Sequence, residues 1–350
     1  MNHPCKFSSL LITPLPIRCL LVVCLLLLSG CSKQPSDTYH TYVARLANIL
    51  QQQPPRSLPL QQLRLTTPAA IEEPSDTLSI LQLASLSHCQ LGGLISERNN
   101  QLGKTATAAS TFKYQVEFIQ SAAQCLQTLN STSTIYNTIA SATAYKQRYL
   151  MHYFNSMLFK EPELNQTWQL TSRELSTAAA GYSDTLAAMT TLVAIKQHIA
   201  AQQFSAIDTH ALFNALEQLN KYRFNQLLIQ SARTQIALND RASQFLRSVD
   251  IATLCPKGKS NQSAQILSNI FKKFYLADIQ PYQAQLTGYL ETLQPLYTEL
   301  WFKQPISSEP INTLLAFEQN SNLLKQLKSS AKNHVVWWQT FYKTCEINPI

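Results

Sequence analysis

The chain has 350 residues, 45% of them hydrophobic, and a formal net charge of +8. That length allows one large core or two. The basic excess is spread thinly, with no run of five Lys or Arg, and gives nucleic-acid binding little support.

Lys6 and Arg18 give a basic start, and an apolar run from Cys19 to Leu28 follows. The run is as long as a secretory apolar region and too short for a bilayer span, which needs roughly 20 apolar residues. Leu28-Ser29-Gly30-Cys31 ends it. This segment resembles the site at which bacterial lipoproteins are cut: a large aliphatic residue, two small ones, then the cysteine that is lipidated. An ordinary cleavage site, with small residues around a spacer, fits less well. The expected organisation is a cleaved signal peptide over 1–30, a lipidated N-terminus and tether over 31–37, and a helical domain over 38–350 with a sub-boundary near 250–262. The resemblance implies a covalent N-acyl diacylglycerol group on Cys31, and no other cofactor is expected. Each buried methylene is worth roughly 0.8 kcal/mol, so two or more chains anchor stably. Ser32 follows the cysteine, where Asp would retain a lipoprotein at the inner membrane. By that resemblance the address is the outer membrane of a Gram-negative bacterium, with the body facing the periplasm.

Cys5, Cys19 and Cys24 leave with the signal peptide. Cys89, Cys125, Cys255 and Cys345 remain, an even number in an oxidising compartment, with three pairings open. Cys89 and Cys125 fall in successive predicted helices, as in a cross-linked hairpin. That favours Cys89–Cys125 with Cys255–Cys345. No metal is expected. No C-x-x-C occurs, and His88 beside Cys89 is too close in sequence for ligand spacing.

In chain order, a first helix spans about Thr38 to Gln52, with Tyr42, Leu46, Ile49 and Leu50 on one side. Pro54, Pro55, Pro59, Pro68 and Pro74 make 53–75 an extended or loose segment, in which Leu58, Leu60, Leu63 and Leu65 suggest packing. Ser75 caps a helix to about Asn99, with Asp76 in its first turn. Ser110 caps the next, to about Leu129, whose Phe112, Val116, Ile119, Ala123 and Leu126 form an apolar stripe. Thr134 to Phe159 is a third, ended or kinked by Pro162. Ser172 to Gln203 and Thr209 to Val249 read as long helices, the second capped by Asp208. After a break at Cys255-Pro256-Lys257-Gly258-Lys259, helices resume near Ser263, kink near Pro281 and Pro295, and stop near Lys303. The last runs from about Pro310 to Cys345, with Leu324, Leu327, Ala331, Val335, Trp338, Tyr342 and Cys345 on one stripe. Glycine is scarce, seven in all, and Pro162 is the one proline between Ser75 and Leu254. The fold class is all-α: an elongated multi-helix bundle with long antiparallel helices, cross-linked by disulfides.

The sharpest polar cluster is Glu97-Arg98-Asn99-Asn100, at the end of a helix that carries Gly92 and Gly93. It reads either as a candidate polar site, with Glu97 as acceptor or acid and Arg98 as anion clamp, or as a helix exit turn. Lytic transglycosylases follow their catalytic Glu with Ser and carry a Gly-Leu-Met-Gln segment. Here Arg98 follows Glu97 and that segment is missing. Gly258-Lys259-Ser260 ends like a phosphate loop, but Thr253 stands where the first glycine is required. Histidines show no HExxH, and G-x-S-x-G is absent. Tyr149, Tyr153, Phe154, Trp337, Trp338, Phe341 and Tyr342 read as core, with an aromatic-lined groove as the alternative.

Four segments carry a family resemblance: Tyr42-Val43-Ala44-Arg45-Leu46-Ala47, His88-Cys89-Gln90-Leu91 with Ile95 to Asn100, Cys255 to Lys259, and Ile279-Gln280-Pro281-Tyr282. Together they resemble a family of gammaproteobacterial lipoproteins defined as a domain of unknown function. The resemblance implies a helical envelope lipoprotein and supplies no catalytic residues. The expected function is non-enzymatic: binding or scaffolding another envelope protein, lipid or peptidoglycan from a lipid anchor, without nucleic acid. A lipid or glycan carrier is the second reading, and a peptidoglycan- or lipid-active hydrolase the third.

Overall fold

In a computed structural model, residues 34–72, 78–100, 105–256, 261–316 and 322–348 are described. Cys31, Ser75 and Gly258-Lys259-Ser260 lie outside them. The described residues are helical throughout, apart from connections and one isolated bridge between Leu65 and Ser307. Helix α1 (Pro35–Leu50) seats Tyr39, Tyr42, Val43 and Leu46 in the core. The proline-rich segment that follows is held from outside. Arg241 Nε donates to Pro55 O at 2.6 Å, Arg233 to Gln61 O, and Thr66 N to Ile306 O at 2.6 Å. Of its four spaced leucines, Leu63 enters the core, whereas Leu58 is exposed.

The helix expected from Ser75 to Asn99 is two helices, α2 (Ile80–Ala84) and α3 (Gln90–Asn99). Ser79 starts α2 through a capping box with Gln82, and Cys89 is the N-cap of α3. Gly92 and Gly93 therefore sit in a first turn, not mid-helix. Gly92 has a packing reason: a Cβ there would lie 2.7 Å from Leu86 O. Thr107, not Ser110, caps α4 (Ala108–Leu126), its side chain accepting from Ser110 N. Buried Glu161 adds a second cap, accepting from Ala109 N at 2.6 Å. Helix α5 (Thr134–Lys160) packs on α4, and Pro162 opens α6 (Pro162–Asn165) instead of kinking α5.

Both helices expected to be long are shorter. Residues 171–181 are irregular, and α7 (Tyr182–Ala200) starts only after Gly181. Gly181 has φ +90°, and a Cβ would come within 2.2 Å of the Tyr222 ring. Arg223, at φ 49°, turns the chain between α8 (Thr209–Tyr222) and α9 (Phe224–Arg247). Short α10 (Ile251–Leu254) precedes the break at Cys255. From Gln262 to Trp301 the chain stays helical through α11 (Gln262–Ile270), a wide π-helical segment (Phe271–Ile279) and α12 (Gln280–Trp301). The expected kink at Pro281 takes this wide form. Gln280 N–H reaches back to Tyr275 O, which makes room for a proline with no N–H of its own. Helix α13 (Glu309–Leu315) and α14 (Leu323–Thr344, capped by Asn322) replace the single last helix.

Among the described residues the disulfides are Cys89–Cys125 and Cys255–Cys345. The first lies in a small cluster of Leu86, Leu91, Ile95, Phe118, Ala122 and Ile139. The second closes an aromatic cluster of Tyr39, Tyr42, Phe245, Phe271, Tyr275, Trp338 and Phe341. A third, larger core joins α4, α5, α7, α8, α9 and α12.

Candidate functional site

Helices α3 and α4 touch along their apolar faces and open on the other side into a cleft of about 460 Å³. Gln90, Gly93, Leu94 and Glu97 line it from α3, Leu94 giving the wall an apolar strip; Glu117, Gln120, Ser121 and Gln124 line it from α4. Helical spacing explains both sets: positions 90, 93 or 94, and 97 on α3, and 117, 120 or 121, and 124 on α4, each follow one face at three- or four-residue steps. A Cβ at Gly93 would meet nothing within 4 Å. Gly93, unlike Gly92, therefore leaves bare backbone on the cleft wall.

Inside the cleft, two side chains are committed to the fold. Glu117 pairs with Lys113 at 2.9 Å and accepts from Thr209 Oγ1 at 3.2 Å. Gln120 donates to Phe204 O at 2.8 Å and Ile207 O at 3.0 Å. Gln90, Glu97, Ser121 and Gln124 line the remaining surface with amide, hydroxyl and carboxylate groups. Such a wall both donates and accepts hydrogen bonds, which suits hydroxyl- and amide-rich ligands.

The sequence cluster Glu97-Arg98-Asn99-Asn100 does not converge. Glu97 is exposed on the cleft. Arg98 lies on another face, its Cζ 5.2 Å from the Tyr114 ring centroid and its Nη2 3.4 Å from Thr111 Oγ1. Asn99 and Asn100 are exposed at the helix end. Successive helical residues point about 100° apart, so adjacent Glu and Arg seldom serve one ligand. The aromatic candidates behave as core: Phe154, Trp338 and Phe341 are at most 1% exposed, and Tyr149 packs against the Tyr145 ring.

At the N-terminus of α3 the geometry departs from the sequence reading. His88 does reach the sulfurs: one ligand atom each from His88, Cys89 and Cys125 lie within 4.8 Å of one another. Adjacent residues converge here because the chain turns at Cys89 into the helix. A second cleft, of about 550 Å³, runs beside the proline-rich segment between Leu60, Arg233, Asp240 and Glu309. Loss of water raises the Asp240 carboxyl above its ordinary range, with Arg247 pulling the other way; burial lowers Arg233.

A buried polar network is the feature that the sequence reading missed. Ser231, Gln235, Asn239 and Ser243 recur every four residues along α9, none more than 2% exposed. Asn239 accepts from Tyr39 OH at 2.7 Å and from Gln283 Nε2 at 3.1 Å, and donates to Ser330 at 3.1 Å. Tyr42 accepts from Trp338 Nε1 at 2.9 Å and lies 2.9 Å from His334 Nε2; Ser243 lies 3.3 Å from His334 Nδ1. These partners fit a neutral imidazole that accepts at Nε2 and donates at Nδ1. Burial pushes His334 down to about 3 and Tyr39 and Tyr42 well above the usual phenol range. The four-residue polar rhythm on α9 was the available signal, concealed beside the apolar stripe of Leu238, Ala242 and Phe245.

Residues 39–349 match a family described as a protein of unknown function, DUF3080. The chain belongs to that family. No curated protein and no solved structure matches it. The matched span runs from Tyr39 in the buried network past Cys345, so it takes in both disulfides, both clefts and the network.

Proposed function

We propose that the protein is an outer-membrane lipoprotein, held by a lipidated Cys31 and facing the periplasm, that binds or scaffolds another envelope component without reacting with it. Leu28-Ser29-Gly30-Cys31 supports the anchor. The paired cysteines support an oxidising compartment. Among the described residues no helix is long and apolar enough to cross a membrane, and a lipid on Cys31 would supply the attachment. The observation that carries the binding role is the α3–α4 cleft, with its bare wall at Gly93 and its hydrogen-bonding lining. A hydroxyl- and amide-rich polymer such as peptidoglycan suits that lining. A glycan binder remains the second reading, with this cleft in place of an aromatic groove.

Two experiments test it. Labelled palmitate is incorporated into the wild type and lost in Cys31→Ala; labelling that survives removes the anchor. Isolated peptidoglycan sacculi sediment the purified chain, and Gly93→Leu, which fills the cleft and spares the core, reduces sedimentation at least about tenfold, the cost of losing roughly 1.4 kcal/mol. Failure of the wild type to sediment, or equal sedimentation of Gly93→Leu, contradicts the role of the cleft. Release of soluble fragments from the sacculi contradicts the non-enzymatic reading.

A further inference from the structure

We propose that His88, Cys89 and Cys125 form a site for a zinc-class cation once the Cys89–Cys125 bond is reduced. The three ligand atoms are already gathered within 4.8 Å. In a tetrahedral site with Zn–S near ~2.3 Å and Zn–N near ~2.0 Å, neighbouring donors stand roughly 3.3–3.8 Å apart. Small side-chain rotations therefore complete it. Two thiolates and an imidazole select a soft or borderline cation over Mg²⁺ or Ca²⁺.

The surroundings fit this role. Thr128 Oγ1 donates to Cys125 O at 2.8 Å, so its proton is spent. It then accepts from His88 Nε2, 3.1 Å away. That fixes the proton on Nε2 and keeps a lone pair on Nδ1, so the ring carries one nitrogen able to ligate a cation, its tautomer set by an outer hydrogen bond as at known metal sites. Cys89 is the N-cap of a helix of 10 residues, where the helix end favours a thiolate. The site also has access from solvent: His88 is exposed and Cys89 half-buried, while Cys125 forms the floor. Three protein ligands leave a fourth position for water.

The electrons balance with a dithiol as reductant. One of its thiolates attacks a sulfur of the Cys89–Cys125 bond, its second thiol closes a new disulfide, and Cys89 and Cys125 are released as thiols. The dithiol is oxidised and the protein disulfide reduced. Cation binding then displaces two thiol protons. The cation would take over the covalent tie between α3 and α4, so the cleft would persist in the reduced protein.

The test uses the full chain, reduced with a phosphine, which becomes the phosphine oxide and does not compete as a dithiol would. Co²⁺ is titrated, then displaced with Zn²⁺. The expected result is one Co²⁺ per chain with thiolate charge-transfer absorption, absent from the unreduced protein. His88→Ala, a change at an exposed side chain, weakens binding by on the order of 10–100-fold or more, and Cys125→Ala abolishes the absorption. Lack of absorption in the reduced wild type, equal affinity in His88→Ala, or a signal surviving Cys125→Ala overturns the proposal. Far-ultraviolet circular dichroism confirms that each variant remains helical.

Discussion

Around Cys255–Cys345, α1, α9, α11, the π-helical segment and α14 enclose stacked rings and a satisfied hydrogen-bond network; around Cys89–Cys125, short α2 packs on α3 and α3 lies on α4, with a small apolar patch beneath and a polar cleft beside it. Phe271 stacks on Trp338 with ring centroids 4.4 Å apart, and His334 sits 4.6 Å from Tyr275. Near Cys89, His88 and Thr128 are exposed. The contrast separates two uses of a disulfide. One closes a region that packing already specifies. The other holds a short helix whose own buried surface is small, and so fixes a cleft wall that packing alone would hold weakly.

The largest effects test that difference. Removing Cys255–Cys345, which spans a sequence separation of 90, costs about 4–5 kcal/mol in the chain-entropy model; removing Cys89–Cys125, separation 36, costs about 4. Urea unfolding gives both totals. The sharper distinction is local: reduction of Cys89–Cys125 in the apo chain speeds hydrogen exchange in α3 while α14 stays protected. Loss of protection in both regions would dissolve the contrast.

Acid attacks the aromatic region. His334 titrates near 3 folded against an ordinary value of 6.5. Above pH 6.5 both folded and unfolded states are neutral there, and the group contributes no pH dependence. Below it the unfolded state binds a proton that the folded state excludes, so stability falls as pH drops towards 3. At ~1.36 kcal/mol per unit the loss reaches roughly 4 kcal/mol. His334→Gln is less stable at neutral pH and has a flatter acid slope; an unchanged slope would show that His334 does not govern it.

Smaller effects separate two neighbouring glycines. Gly92→Ala forces a Cβ against Leu86 O and destabilises by about 1–3 kcal/mol. Gly93→Ala enters open space and stabilises by up to about 1 kcal/mol. Thermal unfolding distinguishes them, and a costly Gly93→Ala would mean that Gly93 serves packing.

Much of the architecture was legible because apolar residues recur at helical spacing over most of the chain, and because four cysteines left three pairings with one favoured. Breaks were harder. Arg223 adopts a left-handed conformation without being glycine, so the apolar rhythm passes through the turn unmarked. Gly181 marks its turn, but its necessity depends on Tyr222, distant in sequence. On α14 the expected stripe was rotated by about one position: Ser330 and His334 are on the buried side because partners on α1 and α9 satisfy them. Glu97 was found from its polar surroundings, whereas its cleft partners Ser121 and Gln124 come from a helix whose apolar face drew attention first.

Hydrogen exchange of the intact chain, with and without soluble peptidoglycan fragments, tests the central claim most directly. The account predicts added protection in α3 and the facing turns of α4, with none in α9 or α14. Protection confined to the aromatic region, or no change anywhere, would contradict it.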